Sequence, residues 1–508
     1  GTGKTELDQL DTDGAVRVVQ EPSAEDNGFI IRGDKLELKR KATGNHLKVN
    51  GDLAELHMDR LIVVGPEIEV DQGDNTATVD GDGYMQMENT TDFQGNPLRK
   101  PEWLTVHWNK LMRFEGSFAE FHGNIQAQQA NSRLTCQMLQ VYFDKPVTLS
   151  EQRGADKKDR PKGEEPARAK KLLCDRSVRV EEEAYETRYR LTERALASLR
   201  EAKVPDAVLS RVVVLKDRDY DNHDRFAADV GKLLTKEQVE KFQGQVIGHA
   251  AYEPTPRRLT GFKSLQCLEL MVMNLERTMS AEGPGQLRIV QPGGGGPGTA
   301  LGGPAPAKPA SKPAPKAPEE WALTLVTYGR FGDALGKSGQ SAGRMDADNN
   351  THTATFYEDI QVLHVPWTSD PARLRETINL AATVENLPAG GLYMECRKKL
   401  KVYSPEEEGP GAAPGREGGG KHVMTGTGQV YLKATDAKGQ VFWGNADEVH
   451  YDEEKDQVIF KGGNGGLAEV YQVERRGAEP KKTLAETIIY SRKDGKVEVN
   501  GGTKVESR

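Results

Sequence analysis

The 508-residue chain is short of what most functional classes require. Aromatic residues make up 6% of it and hydrophobic residues 36%, so core material is thin for the length. No apolar run approaches the ~18 residues that cross a membrane as a helix. The formal net charge is −8, which argues against a general nucleic-acid binder, because neutralising phosphates needs a clustered basic face. Catalytic signatures are sparse as well: there is no His-Glu-x-x-His pair and no Cys-x-x-Cys pair. The ten histidines are scattered, and His57, His107, His122, His352, His364 and His450 each sit beside apolar strand residues. Strand-face or edge positions are expected for them rather than metal ligation. Asp346-Ala-Asp348-Asn-Asn350 alternates oxygen donors, but without the central glycine or closing Glu of a calcium loop it reads as a hairpin turn. No carboxylate pair stands out among the 77 acidic residues. The expectation is a non-enzyme with no catalytic residue, no cofactor and no metal.

Cysteine is scarce too. Four could make two disulfides, but Cys136, Cys267 and Cys396 occupy equivalent slots of a repeat, which reads as a small buried residue. Gly1 stands where an initiator Met would, so the chain reads as a mature form or a fragment whose start says nothing about export. Gly1-Thr-Gly-Lys-Thr5 resembles the end of a phosphate-binding loop, but it has no preceding strand or following apolar helix and reads as a frayed terminus. Asp11-Thr-Asp13-Gly14 is a weak calcium-loop hint.

What the chain has is glycine, proline and repetition. Its 54 Gly and 26 Pro favour turns, linkers and β structure. One short phrase recurs: a small residue, apolar residues three and five positions later, then an acidic or amide residue. It appears at Gly65 with Ile68 and Val70, Cys136 with Leu139 and Val141, and Cys267 with Leu270 and Val272. It returns at Ala446 with Val449 and Tyr451, and at Ala485 with Ile488 and Tyr490. A looser copy at Cys396 has Leu400 and Val402 one residue late, as a bulge would place them. Several copies lead through Asp/Gly/Asn turn residues into a second alternation, such as Val458-Ile-Phe460 or Val497-Glu-Val499. Apolar residues two apart around such turns predict β-hairpins, each with one apolar stripe turned inward. Stacked hairpins would line a continuous interior with the +3 and +5 residues, while the small residue has the opposite parity unless a bulge corrects it. An ordinary packed core is the competing expectation for any one of them.

The chain length allows two or three domains. Composition divides it into a tail, 1–28, and a first β array, 29–290. That array carries a charged, partly helical insertion, 145–257, in which Leu191, Leu196 and Leu199 predict one amphipathic helix and Val239 with Phe242 a second. A Gly/Pro/Ala linker, 291–320, precedes a second β array, 321–508, with a loop at 404–421. The predicted fold class is all-β: antiparallel β-jellyroll or rolled-sheet repeats in two halves.

The hairpin phrase resembles the OstA-like (LptA-like) family, which includes periplasmic lipopolysaccharide-transport proteins. The resemblance rests on Gly444–Gly462, then Leu484–Gly501, then Gly65–Gly81, and is fainter elsewhere. It implies an open jellyroll that holds acyl chains inside and stacks end to end by strand pairing. It also implies a location in the periplasm or cell envelope, lipopolysaccharide or another lipid as ligand, and envelope transport proteins or the chain itself as partners. The large insertion, the Pro/Gly linker and the recurrent cysteine depart from the family's compact bridge. A structural or adhesive β-repeat protein is the alternative, and a carbohydrate-active β-helix enzyme would need a carboxylate cluster on one face. The last strand, Val497-Glu-Val499, has no proline to block pairing and is the expected assembly edge.

Overall fold

The computed structural model describes residues 8–20, 29–147, 167–185, 191–249, 259–292, 321–329, 343–403, 423–501 and 504–506, apart from single residues and short turns within them. The fold is all-β, with 28 antiparallel strands linked into one ladder among the described residues. Two compact units are present: residues 1–182 with 262–508, and residues 183–261.

The β unit is built from long strands that cross between two sheets and short strands that belong to one. Leu61–Asp71 shows the rule: Leu61–Val64 pair with Gly83–Thr91, whereas Glu67–Asp71 pair with Thr76–Asp80. In Leu259–Met273, Phe262–Gln266 pair with Gly285–Pro292 and Glu269–Met273 with Thr278–Glu282. Val441–Asp452 divides likewise between Ala468–Val473 and Gln457–Lys461. The chain therefore makes two facing sheets joined through corners in shared strands, the jellyroll arrangement.

The small residue of the repeated phrase sits at each corner. Gly65, Cys267 and Ala446 each fall between the two paired halves of their strand. At Cys136 the ladder to Phe118–Gln129 shifts register between Cys136 and Met138. The reason is steric: a Cβ on Gly65 would lie 2.3 Å from Val79 Cγ1. The bend also resolves the parity problem, since Cys136, Cys267, Cys396 and Ala485 are buried in the same core as the apolar residues that follow them. At Cys396 the strand breaks: Leu392–Cys396 ends, Lys399–Tyr403 begins in the other sheet, and Arg397-Lys398 supply the extra residue.

Three boundaries differ from those read in sequence. Gln9–Gln20, assigned to a tail, is a strand paired along its length with Phe29–Lys41; residues 1–7 lie outside the described residues. Residues 291–320 do not separate two arrays. Gly285–Pro292 on one side pairs directly with Trp321–Tyr328 on the other, and Thr278–Glu282 with Arg344–Asp348, so hydrogen bonding crosses the gap. Residues 293–320 and 404–422 lie outside the described residues. The insertion is narrower than 145–257, because Ala169–Tyr185 pairs with Ser132–Phe143 as an ordinary array member. Its alternating charges mask a strand that buries Cys174 and Val178.

The second unit is helical, with helices Glu193–Glu201, Asp206–Val212, His223–Leu233 and Lys236–His249. Leu196 and Leu199 pack with Val208, Val212, Phe226, Val230 and Val246 in a core of its own. Thr192 caps the first helix, its Oγ1 accepting from Ala195 N at 3.2 Å. Leu191 precedes that helix, while Val239 and Phe242 pack half-buried on the last. Two of the four helices carried no sequence expectation.

Candidate functional site

The residues expected to line an interior lie in unbroken rows across one of the two sheets. Directly opposed residues share a face, so registers chain together. In the first part, Val49, Ile68, Val79, Met112, Phe121, Leu139 and Cys174 stand side by side, strand after strand. Leu47, Val70, Ala77, Phe114, Ala119, Val141 and Leu172 form the row beneath. Beyond the helical unit, Leu270, Ala281, Met345, Phe356, Leu400, Gly426, Val449, Phe460, Ile488 and Val499 make one row. Val272, Met279, Ala347, Ala354, Val402, Met424, Tyr451, Val458, Tyr490 and Val497 make the next.

All ten anticipated lining residues face this interior. Ile68, Val70, Leu139, Leu270, Val449, Tyr451, Ile488 and Tyr490 are buried, and Val141 and Val272 are half-buried against the same cluster. The second sheet closes the space opposite, where Phe442 meets Tyr490 with ring centroids 4.1 Å apart. One hydrophobic cluster extends from Ile31 to Tyr490. Sequence reasoning named a minority of each row; Met112, Ala281, Met345 and Phe356, for example, lie on short strands that carry no copy of the phrase.

The array has free edges among the described residues. Val497–Asn500 pairs only with Thr487–Ser491, and Lys504–Glu506 pairs only with Lys481–Ala485. Ser491 N donates to Lys496 O at 2.9 Å. By the antiparallel alternation, the N–H and C=O groups of Val497 and Val499 then point away from that neighbour, toward the open edge. At the other end Gln9–Gln20 has one neighbour.

The polar groups singled out in sequence have local structural partners. His364 is buried, with Nδ1 2.8 Å from Thr324 Oγ1; His122 Nε2 lies 3.4 Å from Glu120 and His450 Nδ1 meets Thr425 at 3.0 Å. Asp348 accepts from Asn350 N at 2.8 Å and Thr351 N at 3.3 Å, an Asx turn closing the 344–357 hairpin. The Thr351 side chain, together with these backbone bonds and the Asn350 side chain, holds its carboxyl below the usual range.

All four cysteines are free and buried. Burial pushes the Cys267 and Cys396 thiols up to about 12. The Cys174 thiol is raised by its hydrogen bond with Cys136 and by burial. Thiols this far from ionisation pack as small apolar groups. The fourth cysteine belongs to no copy of the phrase, yet it lies beside Cys136 because Ala169–Tyr185 returns to the array.

The outer surface carries different chemistry. Trp103, half exposed, lines a polar recess of about 420 Å³ with Thr105, His107, Gln126, Gln128 and Arg133. Around the strand Gly285–Pro292, arginines dominate. Arg179 and Arg375 both hold Glu181, with Arg179 Nε at 2.9 Å and Arg375 Nη2 at 3.1 Å. Arg373 Nε meets Glu376 at 2.7 Å, while Arg288 lies 94% buried between them. Against burial, which pushes it up, Arg375 and Arg179 keep the Glu181 carboxyl below its ordinary range.

No family model and no curated protein matches the chain. One solved structure that it is similar to is LptH, the LptA-homologous periplasmic component of the lipopolysaccharide transport device of Pseudomonas aeruginosa. The identity is 14%, over 32% of this chain and 82% of that one, with a TM-score of 0.20, an overlap too small to argue from.

Proposed function

We propose that this chain is a non-catalytic carrier or bridge for lipopolysaccharide or a related lipid in the periplasm or cell envelope. In this reading acyl chains are held between the two rolled sheets. The observation that carries it is the unbroken apolar interior: rows from Leu270 to Val499 continue through ten strands without a charged residue. A globular core needs no such one-dimensional continuity, whereas an acyl chain passed along a protein does. At roughly 25 cal/mol per Å² of apolar surface, burial alone supplies affinity there. The likeness of the hairpin phrase to the OstA-like family supports the same reading. The open edges at both ends suit strand-to-strand assembly with a second copy or an envelope partner.

The test is capture. Photo-crosslinkers at Val449 and Ile488 are expected to trap lipid in vivo, whereas one at the exposed turn residue Lys455 is not. Equal capture at all three positions, or none at any, removes the carrier reading.

One observation favours the structural alternative. Val458, Phe460 and Ile488 are fully buried against one another, as in a bridge filled by its own side chains. Such a core predicts that Ile488→Ala costs about 2–5 kcal/mol. A large loss together with a bare chain in native mass spectrometry would assign the structural role. Co-purifying lipid, released by Ile488→Ala with a small loss of stability, would assign the carrier.

A further inference from the structure

Arg288 is the one guanidinium in its cluster whose binding edge has no acceptor. It sits mid-strand in Gly285–Pro292, between Leu287 and Ile289, which face the apolar interior. Alternation turns Arg288 to the outer face of the sheet. There it opposes Ser264 and Leu325 on the flanking strands. It is 6% exposed, and neither Nε nor Nη2 has a hydrogen-bond partner among the described residues. Those two nitrogens form one edge of the guanidinium, the edge that grips two oxygens at once. Arg375 uses the same edge on Glu181.

A buried unsatisfied guanidinium is costly, so its retention needs a cause. The ring of Trp367, 5.9 Å from Arg288 Cζ, offers only its face, and it also lies under Arg373 at 4.9 Å. The neighbouring carboxylates are already engaged, Glu181 by two arginines and Glu376 by Arg373. Among the described residues, even with Asp370, whose backbone C=O accepts from Arg373 N, counted beside Glu181 and Glu376, the four arginines outnumber the acids. Burial lowers the Arg288 pKa, with Glu376 opposing and Arg179 adding to it, as expected of a cation short of a counter-charge. The rim is open: the side chains of Arg179, Arg375 and Arg373 are 42%, 44% and 50% exposed.

We infer that Arg288, with Arg179 and Arg375 at its rim, forms a binding site for a phosphate group on the outer face of the sheet. A tetrahedral dianion fits better than a planar carboxylate. It can fill the Nε/Nη2 edge of Arg288 and still present oxygens to the rim arginines, in a cluster that keeps an excess of positive charge. The site lies on the face opposite the apolar rows and does not depend on the carrier reading. The phosphate comes either from a soluble phosphorylated compound or from a phosphorylated lipid headgroup.

The full chain serves for the test. Inorganic phosphate is expected to raise the melting temperature saturably above a chloride control of equal ionic strength. Arg288→Met should weaken phosphate binding at least tenfold in titration calorimetry without lowering the melting temperature in chloride. If Arg288→Met does not fold, Arg179→Met at the exposed rim should weaken binding several-fold. Flotation with phosphatidylcholine vesicles separates the sources. Arg288-dependent binding only when phosphatidic acid is included assigns the lipid headgroup, and phosphate binding without flotation assigns a soluble ligand. A phosphate response no different from chloride, or variants that respond like the parent, overturns the site.

Discussion

Gly65→Ala probes the corner directly. The added Cβ would stand 2.3 Å from Val79 Cγ1, where carbon atoms normally rest about 3.5–4.0 Å apart. Val79 cannot swing away cheaply. It is fully buried, registered between Ile68 and Met112, and β-branched, so its χ1 is stiff. Relief requires an off-rotamer side chain or a backbone shift, together costing about 1–3 kcal/mol. The φ of Gly65 is not positive, so alanine is compatible with the backbone and recovers about 0.4–1 kcal/mol through the unfolded chain. The net expectation is a loss of about 1–2 kcal/mol, read from the β-sheet transition in denaturant, apart from that of the helical unit. Because one contact causes the loss, Val79→Ala should partly suppress it, with a coupling of about 1 kcal/mol in the double-mutant cycle. A Gly65→Ala chain as stable as the parent, or strict additivity with Val79→Ala, would refute the corner argument.

Two further expectations concern an ion pair at a strand end and the terminal edge. Lys41 and the backbone N–H groups of Asp74 and Gly73 hold the Asp71 carboxyl below its ordinary range. A depressed folded-state pKa adds stability that is complete above the unfolded value of about 3.9 and lost as pH falls through the folded one. Asp71→Asn should therefore lower stability at neutral pH and flatten its decline in acid; an unchanged acid limb in pH-dependent melts would contradict this. Val499→Pro removes an outward-facing N–H from the terminal edge and spares the inner ladder, so sedimentation should show the parent associating with concentration and the variant monomeric. Equal behaviour of the two would show that this edge does not assemble.

Local pattern made most of the hairpins legible. Alternation of period two, closed by Asp, Gly and Asn turns, is encoded within about ten residues, and it placed the +3 and +5 residues of each phrase on the inward face. The small-residue slot was visible too, and so was the preference of its cysteines for burial over disulfide bonding. Its meaning was not. That Gly65, Cys136, Cys267 and Ala446 are corners depends on which strands pair with each half of theirs, and pairing between distant strands leaves no local mark.

The same limit explains the boundaries. The stretch 291–320 has the composition of a spacer, and only the bond between Gly285–Pro292 and Trp321–Tyr328 makes its flanks neighbours in one sheet. Ala169–Tyr185 reads as charge because its outer face is solvated, and the partner strand decides which face is buried. Arg288 shows the principle at a single residue. In sequence it is one basic residue among apolar ones, and its unpaired state exists only because Arg179, Arg375 and Glu181 meet from distant segments. The sequence by itself determined the strand period, the turn chemistry and the inward stripe, which depend on neighbours along the chain. The tertiary structure alone decided corners, continuity and charge balance, which depend on neighbours in space.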